Sequence, residues 1–236
     1  RREPQRYAST LLDALRTRPK GIKELVWRLF YFAEAIPLAK LVHEEQIEHL
    51  HNHFANSGAD VGYLTARYLD IPWSLTLHGT SCFDYPSGQT LGAKIRFASF
   101  VACVSDFGRA QAMRTVPQAF WDKLHIVRCG VDIEQAASGT ASRRSQSGRI
   151  RLMCVARMSE EKGLPILIAA VDQLTRAGAD VELCLVGDGP QRPLLESEIL
   201  SRGLGERIVL KGALPGEALI DLYAACDIFV LTSFME

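Results

Sequence analysis

Short runs of consecutively apolar residues, separated by longer amphipathic stretches, limit this chain more than any other feature. Phe100 to Ser105 is apolar on successive positions up to its serine, Ile150 to Ala156 is apolar apart from Arg151, Val181 to Val186 apart from Glu182, and Trp73 to His78 apart from Ser74 and Thr76. A strand of that kind must be covered on both faces, and helices of ten to fifteen residues between such runs supply the cover in a parallel sheet. The remaining strands are expected at His49 to His53, Leu124 to Arg128, Ile208 to Lys211 and Asp227 to Thr232. Helices are expected over 22–46, 59–69, 90–98, from about Asp106, 164–177, 190–202 and 215–225. In the first of these the apolar positions Leu25, Leu29, Phe32, Ile36 and Leu41 recur at helical spacing. Between Gly130 and Gly148 the sequence turns small and polar, with no hydrophobic period, and reads as a linker or exposed loop. The fold class is therefore α/β, as two Rossmann-like lobes. An N-terminal lobe covers 1–132, a linker 133–149, and a C-terminal lobe 150–236.

Charge supports two lobes and excludes several classes. The 236 residues carry 27 Lys+Arg and 27 Asp+Glu, and 47% are hydrophobic. This balance argues against a disordered tail and against a protein held to nucleic acid by bulk positive charge. Residues 1–28 hold eight Arg or Lys against Glu3, Asp13 and Glu24. That basic stretch and the apolar helix after it raise the expectation of peripheral contact with an anionic membrane. The window Val26 to Val42 is too interrupted, by Arg28, Glu34, Pro37 and Lys40, to span one. The six cysteines show no CxxC and no metal-ligand rhythm. Cys103, Cys154 and Cys184 lie within apolar runs, so reduced structural thiols and a cytoplasmic setting, with the inner membrane face as a peripheral option, are expected.

In open α/β sheets ligands sit beyond the carboxyl ends of the strands. After the strand ending at Ala156 come Arg157 and, just before a helix with Pro165 in its first turn, Lys162. Two cations beside a helix N-terminus suit a diphosphate; the bland alternative is a solvated loop carrying Glu160 and Glu161. Gly187-Asp188-Gly189-Pro190 repeats the strand–turn–helix pattern, but position 192 is Arg, which disfavours a dinucleotide fingerprint. Its glycines serve either a ligand's approach or a tight turn. A third loop, Ser233 to Glu236, sets a carboxylate past a strand end. His51 and His53 share a face of their strand, yet no carboxylate cluster at ligand spacing follows, so no metal is expected. His78, ending a strand before Gly79 and Thr80, is either a substrate-facing imidazole or a hydrogen-bonded structural one. His43, His49 and His125 read as surface or packing residues.

Together these motifs resemble the family-4 retaining glycosyltransferases of the GT-B fold. Val155-Ala-Arg-Met-Ser-Glu-Glu-Lys-Gly163 is similar to the family's "VGR…KG", and Leu185-Val-Gly-Asp-Gly-Pro190 to its "VGDGP". Leu222-Tyr-Ala-Ala-Cys-Asp-Ile-Phe-Val-Leu-Thr-Ser-Phe-Met-Glu236 is similar to "YAAADVFVLPS…E", with Thr232 where Pro is usual. His51-Asn-His-Phe-Ala55, Leu75-Thr-Leu-His-Gly-Thr80, Val104-Ser-Asp106 and Ile126-Val-Arg-Cys-Gly-Val-Asp132 extend the likeness from about residue 49 to 236. The first two look most like enzymes of bacterial exopolysaccharide or colanic-acid-type assembly.

The resemblance implies transfer of a sugar, with retention and without a metal ion or other cofactor, from a nucleotide-diphosphate sugar to a glycan or lipid-linked acceptor. Arg157 and Lys162 would hold the donor diphosphate, Gly187 and Gly189 would form a donor loop, Glu236 would touch the donor sugar, and His78 would face that sugar from the acceptor lobe. Both ends interrupt the pattern: Arg1 opens inside a charged helical stretch, and no crossover helix follows the last strand. The chain therefore reads as an internal fragment of a longer enzyme, inactive by itself. A GT-B epimerase or phosphorylase and a non-catalytic nucleotide-sugar-binding fragment are the competing readings.

Overall fold

The computed structural model describes residues 4–84, 87–130 and 148–234, and the chain divides into compact units at Cys129/Gly130. Among the described residues the first unit opens with two helices, α1 (Pro4–Arg16) and α2 (Ile22–Glu44). The strands β1 (Leu50–His53), β2 (Trp73–Leu77), β3 (Val101–Cys103) and β4 (Leu124–Ile126) then alternate with α3 (Ser57–Leu69), α4 (Ser87–Phe97) and α5 (Asp106–Met113). The four strands form one parallel sheet in sequence order. Helix α3 starts two residues before the apolar pattern alone suggests, because Asn56 caps it: its side chain accepts from the Gly58 amide at 3.1 Å. It ends at Asp70, which takes the left-handed conformation. Trp73, Leu75 and Leu77 of β2 are buried in one core with Leu64 of α3, Leu91 and Ile95 of α4, and Val101 and Cys103 of β3.

Helix α2 does not bury the face its large apolar residues suggest. Its buried positions are Arg28, Phe32, Ala35, Ala39 and Val42, while Leu29, Ile36 and Leu41 stay exposed. Two facts favour this rotation. Alanines at 35 and 39 let helices approach closely, and the Thr65 hydroxyl donates to the Ala35 carbonyl at 3.3 Å. Arg28, 3% exposed, also has to reach a carboxylate on α3.

In the second unit β5 (Ile150–Val155), β6 (Val181–Val186), β7 (Ile208–Gly212) and β8 (Ile228–Phe229) alternate with α6 (Leu164–Arg176), α7 (Arg192–Ser201) and α8 (Gly216–Ala225). The parallel order is β7-β6-β5-β8. Leu152 and Cys154 of β5 and Leu183 and Leu185 of β6 are buried against Leu167, Ile168 and Val171 of α6. Buried Asp172 ties α6 to α7, accepting from Arg176 and from Arg202, each at 2.9 Å. Strand β8 is shorter and wetter than its sequence suggests. Only Ile228 and Phe229 pair with β5, and both are exposed. Cys184 is half-buried, and all six cysteines are free thiols. The expected linker 133–149 lies almost wholly outside the described residues, as do Val131, Asp132 and Glu236.

Candidate functional site

In the second unit three loops leave the carboxyl ends of β5, β6 and β8, and the structure packs them into one assembly. The middle loop carries Arg157 and Lys162. It runs from β5 through a 3₁₀ turn (Glu160–Lys162) to Gly163, which enters the left-handed region and starts α6, with no side chain capping that helix. On one flank lies the Gly187–Gly189 loop. The Met158 amide donates to the Asp188 carbonyl, and the Gln191 amide to the Met158 carbonyl, each at 2.9 Å. Gly187 and Gly189 have φ of 133° and 157°. A Cβ on Gly187 would overlap the Ala156 carbonyl oxygen, and one on Gly189 would meet that of Met158. The two glycines therefore let this loop lie against the backbone of the Arg157 loop.

On the other flank the Phe234 amide donates to the Glu161 carbonyl at 2.8 Å, and the Thr232 hydroxyl to the Lys162 carbonyl at 3.0 Å. A Cβ on Gly163 would overlap the Thr232 carbonyl oxygen. The middle loop is thus clamped from both sides, and its main chain is fixed before any ligand arrives.

The side chains divide the charge. Arg157 is 71% exposed, with Glu161 3.7 Å away. The Glu161 carboxyl is held below its usual range, first by the Ser159 hydroxyl donating at 2.6 Å and further by Arg157 and Lys162. Lys162 is half-buried. Burial pushes the Cys154 thiol at the end of β5 up to about 11, and the Lys162 ammonium pulls against that shift, which sets its charge near the strand end. Arg192, the residue that breaks the dinucleotide fingerprint, pairs with Asp188 at 3.5 Å and Glu196 at 2.8 Å.

In the first unit His78 stands just past the carboxyl end of β2, half-buried, its Nε2 2.8 Å from Nδ1 of His53. One proton serves that contact. When His53 donates it, neutral His78 carries its own proton on Nδ1 and can offer it to a ligand hydroxyl. Burial, then the charge of His53, holds His78 below its ordinary 6.5. His51 is lowered the same way, by burial first and then by His53, His49 and His78. His51 lies within 2.6 Å of the Ser74 hydroxyl and 2.8 Å of the Thr76 hydroxyl, and His49 within 2.7 Å of that Ser74 hydroxyl. His49, expected to stand alone, is therefore one of four imidazoles in a row. Among the described residues no three His, Cys, Asp or Glu converge as a metal site.

A second feature of this unit escaped the sequence reading. Asp60 of α3 meets two buried cations, Arg28 at 2.7 Å and Lys94 at 2.9 Å, and Lys94 also donates to the Ala55 carbonyl at 2.6 Å. Burial pushes the Lys94 ammonium down, and Asp60 opposes the shift. The available signal was Arg28 itself, a charge set between Trp27 and Leu29 in an otherwise apolar helix face, which requires a partner.

Comparison with known proteins bears on both units. A family model described as Glycosyltransferase Family 4 matches residues 3–135, more than half of the chain, and one described as Glycosyl transferases group 1 matches 140–236. The chain is similar to the alpha-D-kanosaminyltransferase of Streptomyces kanamyceticus, at 28% identity over 79% of this chain and 54% of that protein. Among solved structures it resembles Anabaena HepE in complex with UDP-glucose, with TM-score 0.67 and 23% identity over 84% of this chain and 56% of that one. It also resembles the sucrose-phosphate synthase of Thermosynechococcus elongatus, with TM-score 0.68 and 19% identity over 85% and 54%. The chain thus spans about half the length of the relatives it matches. The two-lobed Rossmann-like architecture of the GT-B class is the fold of this protein.

Proposed function

Since the chain belongs to glycosyltransferase family 4, we propose that it is the part of a glycosyltransferase in which Arg157 and Lys162 receive the diphosphate of a nucleotide-sugar donor. The observation that carries this reading is the clamped loop between β5 and α6. It fixes the main chain that carries two cations and leads into a helix N-terminus beyond a strand end. The UDP-glucose held by HepE, a protein of the same fold, is consistent with such a donor.

The chemistry follows from where charge develops. The bond between the anomeric carbon and the phosphate oxygen breaks, and its electron pair leaves with the diphosphate. Fixed cations stabilise that growing charge more than they stabilise the bound donor, so they speed the step. The acceptor hydroxyl then bonds to the anomeric carbon on the face the diphosphate leaves and passes its proton to the departing oxygen, which gives retention. Charge stabilisation by side chains alone asks for no metal ion. His78, neutral and able to present Nδ1–H, would hydrogen-bond a sugar hydroxyl, and Glu236, outside the described residues, would contact the donor sugar. The acceptor would be a glycan or lipid-linked saccharide in bacterial exopolysaccharide assembly.

Calorimetric titration of UDP and UDP-glucose into the wild-type chain and into Arg157→Ala, Lys162→Ala and the double variant tests the site. Each single change is expected to weaken binding about tenfold or more. In the whole enzyme each should lower turnover by about 10²–10³. Unchanged binding in the double variant removes the diphosphate site.

A further inference from the structure

Helix α2 is apolar on two faces, and the fold covers one of them. Arg28, Phe32, Ala35, Ala39 and Val42 are buried, on the side packed against α1 and α3. On the opposite side Ile22, Val26, Phe30, Ala33, Pro37 and Leu41 follow one another at helical steps of four, four, three, four and four residues, which sets them on one stripe about 100° wide. All six are exposed, and Ile22, Val26, Phe30 and Leu41 are 83, 60, 49 and 53% exposed. A helix at a wet surface turns charge to that side, so an apolar stripe of this length marks a surface that another body covers.

Two features of the stripe select its occupant. The first is charge. Arg18, Lys20 and Lys23 stand at the start of α2 against Glu24. Arg18 donates to the carbonyls of Pro19 and Gly21 at 3.3 and 3.0 Å, contacts that hold the guanidinium at this end. Along the second half stand Glu34, Glu44 and Glu45 against Lys40, which lies 3.7 Å from Glu44. An anionic bilayer would attract the first half of the stripe and repel the second. A second α2 running antiparallel sets each cationic end against an acidic one.

The second feature is size. About a two-fold axis level with the Tyr31–Phe32 bond, Ile22 falls opposite the partner's Leu41, Val26 opposite the partner's Pro37 and Phe30 opposite the partner's Ala33. The bulkiest residue of the stripe thus meets the smallest, and the pairing reads the same from either copy, as an isologous contact requires.

We propose that the outer face of α2 is a two-fold interface, on which a second copy of the chain lays its own α2 antiparallel along the apolar stripe. One helix pair is a small contact, so the association is expected to be weak, with a dissociation constant of roughly 1–100 µM. The interface goes beyond the glycosyltransferase reading and uses neither Arg157 nor Lys162, so it stands or falls apart from the donor site.

Sedimentation velocity of the 236-residue chain over about 1–300 µM tests it. The wild-type chain is expected to pass from monomer to dimer, and Phe30→Ser, on the exposed stripe, should weaken that step about tenfold or more. Val26→Ser repeats the test should a tryptophan melt show that Phe30→Ser has lost the fold. Charge reversal tests the direction. Lys20→Glu/Lys23→Glu and Glu44→Lys/Glu45→Lys, all at exposed positions, make like ends meet. Each pair of changes should weaken the dimer about tenfold or more, since it acts at both ends of a two-fold contact. The quadruple variant carrying both should recover to within about threefold of wild type. A chain that stays monomeric throughout, a dimer indifferent to both serine variants, or a quadruple variant as weak as the two it combines overturns the inference. Flotation of a monomeric chain with phosphatidylglycerol vesicles, lost in Phe30→Ser, also overturns it and gives the stripe to a lipid surface.

Discussion

Replacing Asp60 by asparagine removes one charge and almost no volume from the first unit, and should destabilise it severely. The carboxylate lies 2.7 Å from Arg28 and 2.9 Å from Lys94, and both cations are at most 3% exposed. At an effective dielectric constant of about 20, each contact near 3 Å is worth roughly 5 kcal/mol of attraction, most of it offset by the desolvation of the groups. Asparagine keeps the desolvation and discards the attraction. Removing one partner of a buried ion pair commonly costs about 3–5 kcal/mol. For a unit of this size each kcal/mol lowers the midpoint by roughly 3–5 °C, so a fall of about 10 °C or more is expected. The readout is selective, because Trp27, Trp73 and Trp121, all the tryptophans of the chain, belong to this unit. Lys94→Met, which leaves the Arg28–Asp60 pair in place, should cost less, and adding it to Asp60→Asn should recover about 1 kcal/mol or more relative to additivity. The penalty should also shrink as pH rises toward 10.5. Burial holds the folded Lys94 below its ordinary 10.5 and Asp60 opposes that shift, so without Asp60 the folded ammonium is held lower still, and the variant gains more stability with rising pH than the wild type. A drop under about 3 °C, or strict additivity, refutes the account of a shared buried carboxylate.

The other expectations concern the two candidate sites. Gly187→Ala should lower the stability of the second unit by more than about 1 kcal/mol, through a positive φ and overlap with the Ala156 carbonyl, and urea melts followed by circular dichroism will show it. Gly178→Ala, also at positive φ but with open space around it, should cost less; equal costs would remove the packing argument. His51 and His78 are held below 6.5, so the unfolded chain binds more protons as pH falls through and below 6.5, and the first unit should lose stability over that window. His51→Asn/His78→Asn should flatten this dependence in fluorescence melts; an unaltered slope would assign it elsewhere.

The parallel α/β alternation was legible because strands buried on both faces write themselves as apolar runs, as at Val101 to Val104 and Leu152 to Val155. The clustering of Arg157, Gly187 and Gly189 was legible as far as strand ends predict it. What the glycines do was not, because their space is taken by the carbonyls of Ala156 and Met158, which no spacing rule records. Helix α2 misled for a related reason. Most of its large apolar residues, Trp27, Leu29, Phe30, Ile36 and Leu41, are exposed, and the buried face is set by Phe32, two alanines and an arginine whose partner lies 32 positions further on. His49 looked solitary because its partner, Ser74, sits on the neighbouring strand. Strand β8 was overextended because an apolar run states only what could be buried, whereas pairing with β5 stops after two residues.

The bracing of the Arg157–Lys162 segment constrains how this protein could diverge. The carbonyls of Met158, Glu161 and Lys162 and the amides of Met158, Lys162 and Gly163 are engaged within the segment or by the strands' other exit loops. A change of backbone shape there would disturb three crossings of the sheet edge at once. Divergence is therefore easier by exchanging exposed side chains around an unmoving segment than by reshaping it, and a relative with a different ligand can keep the same loop.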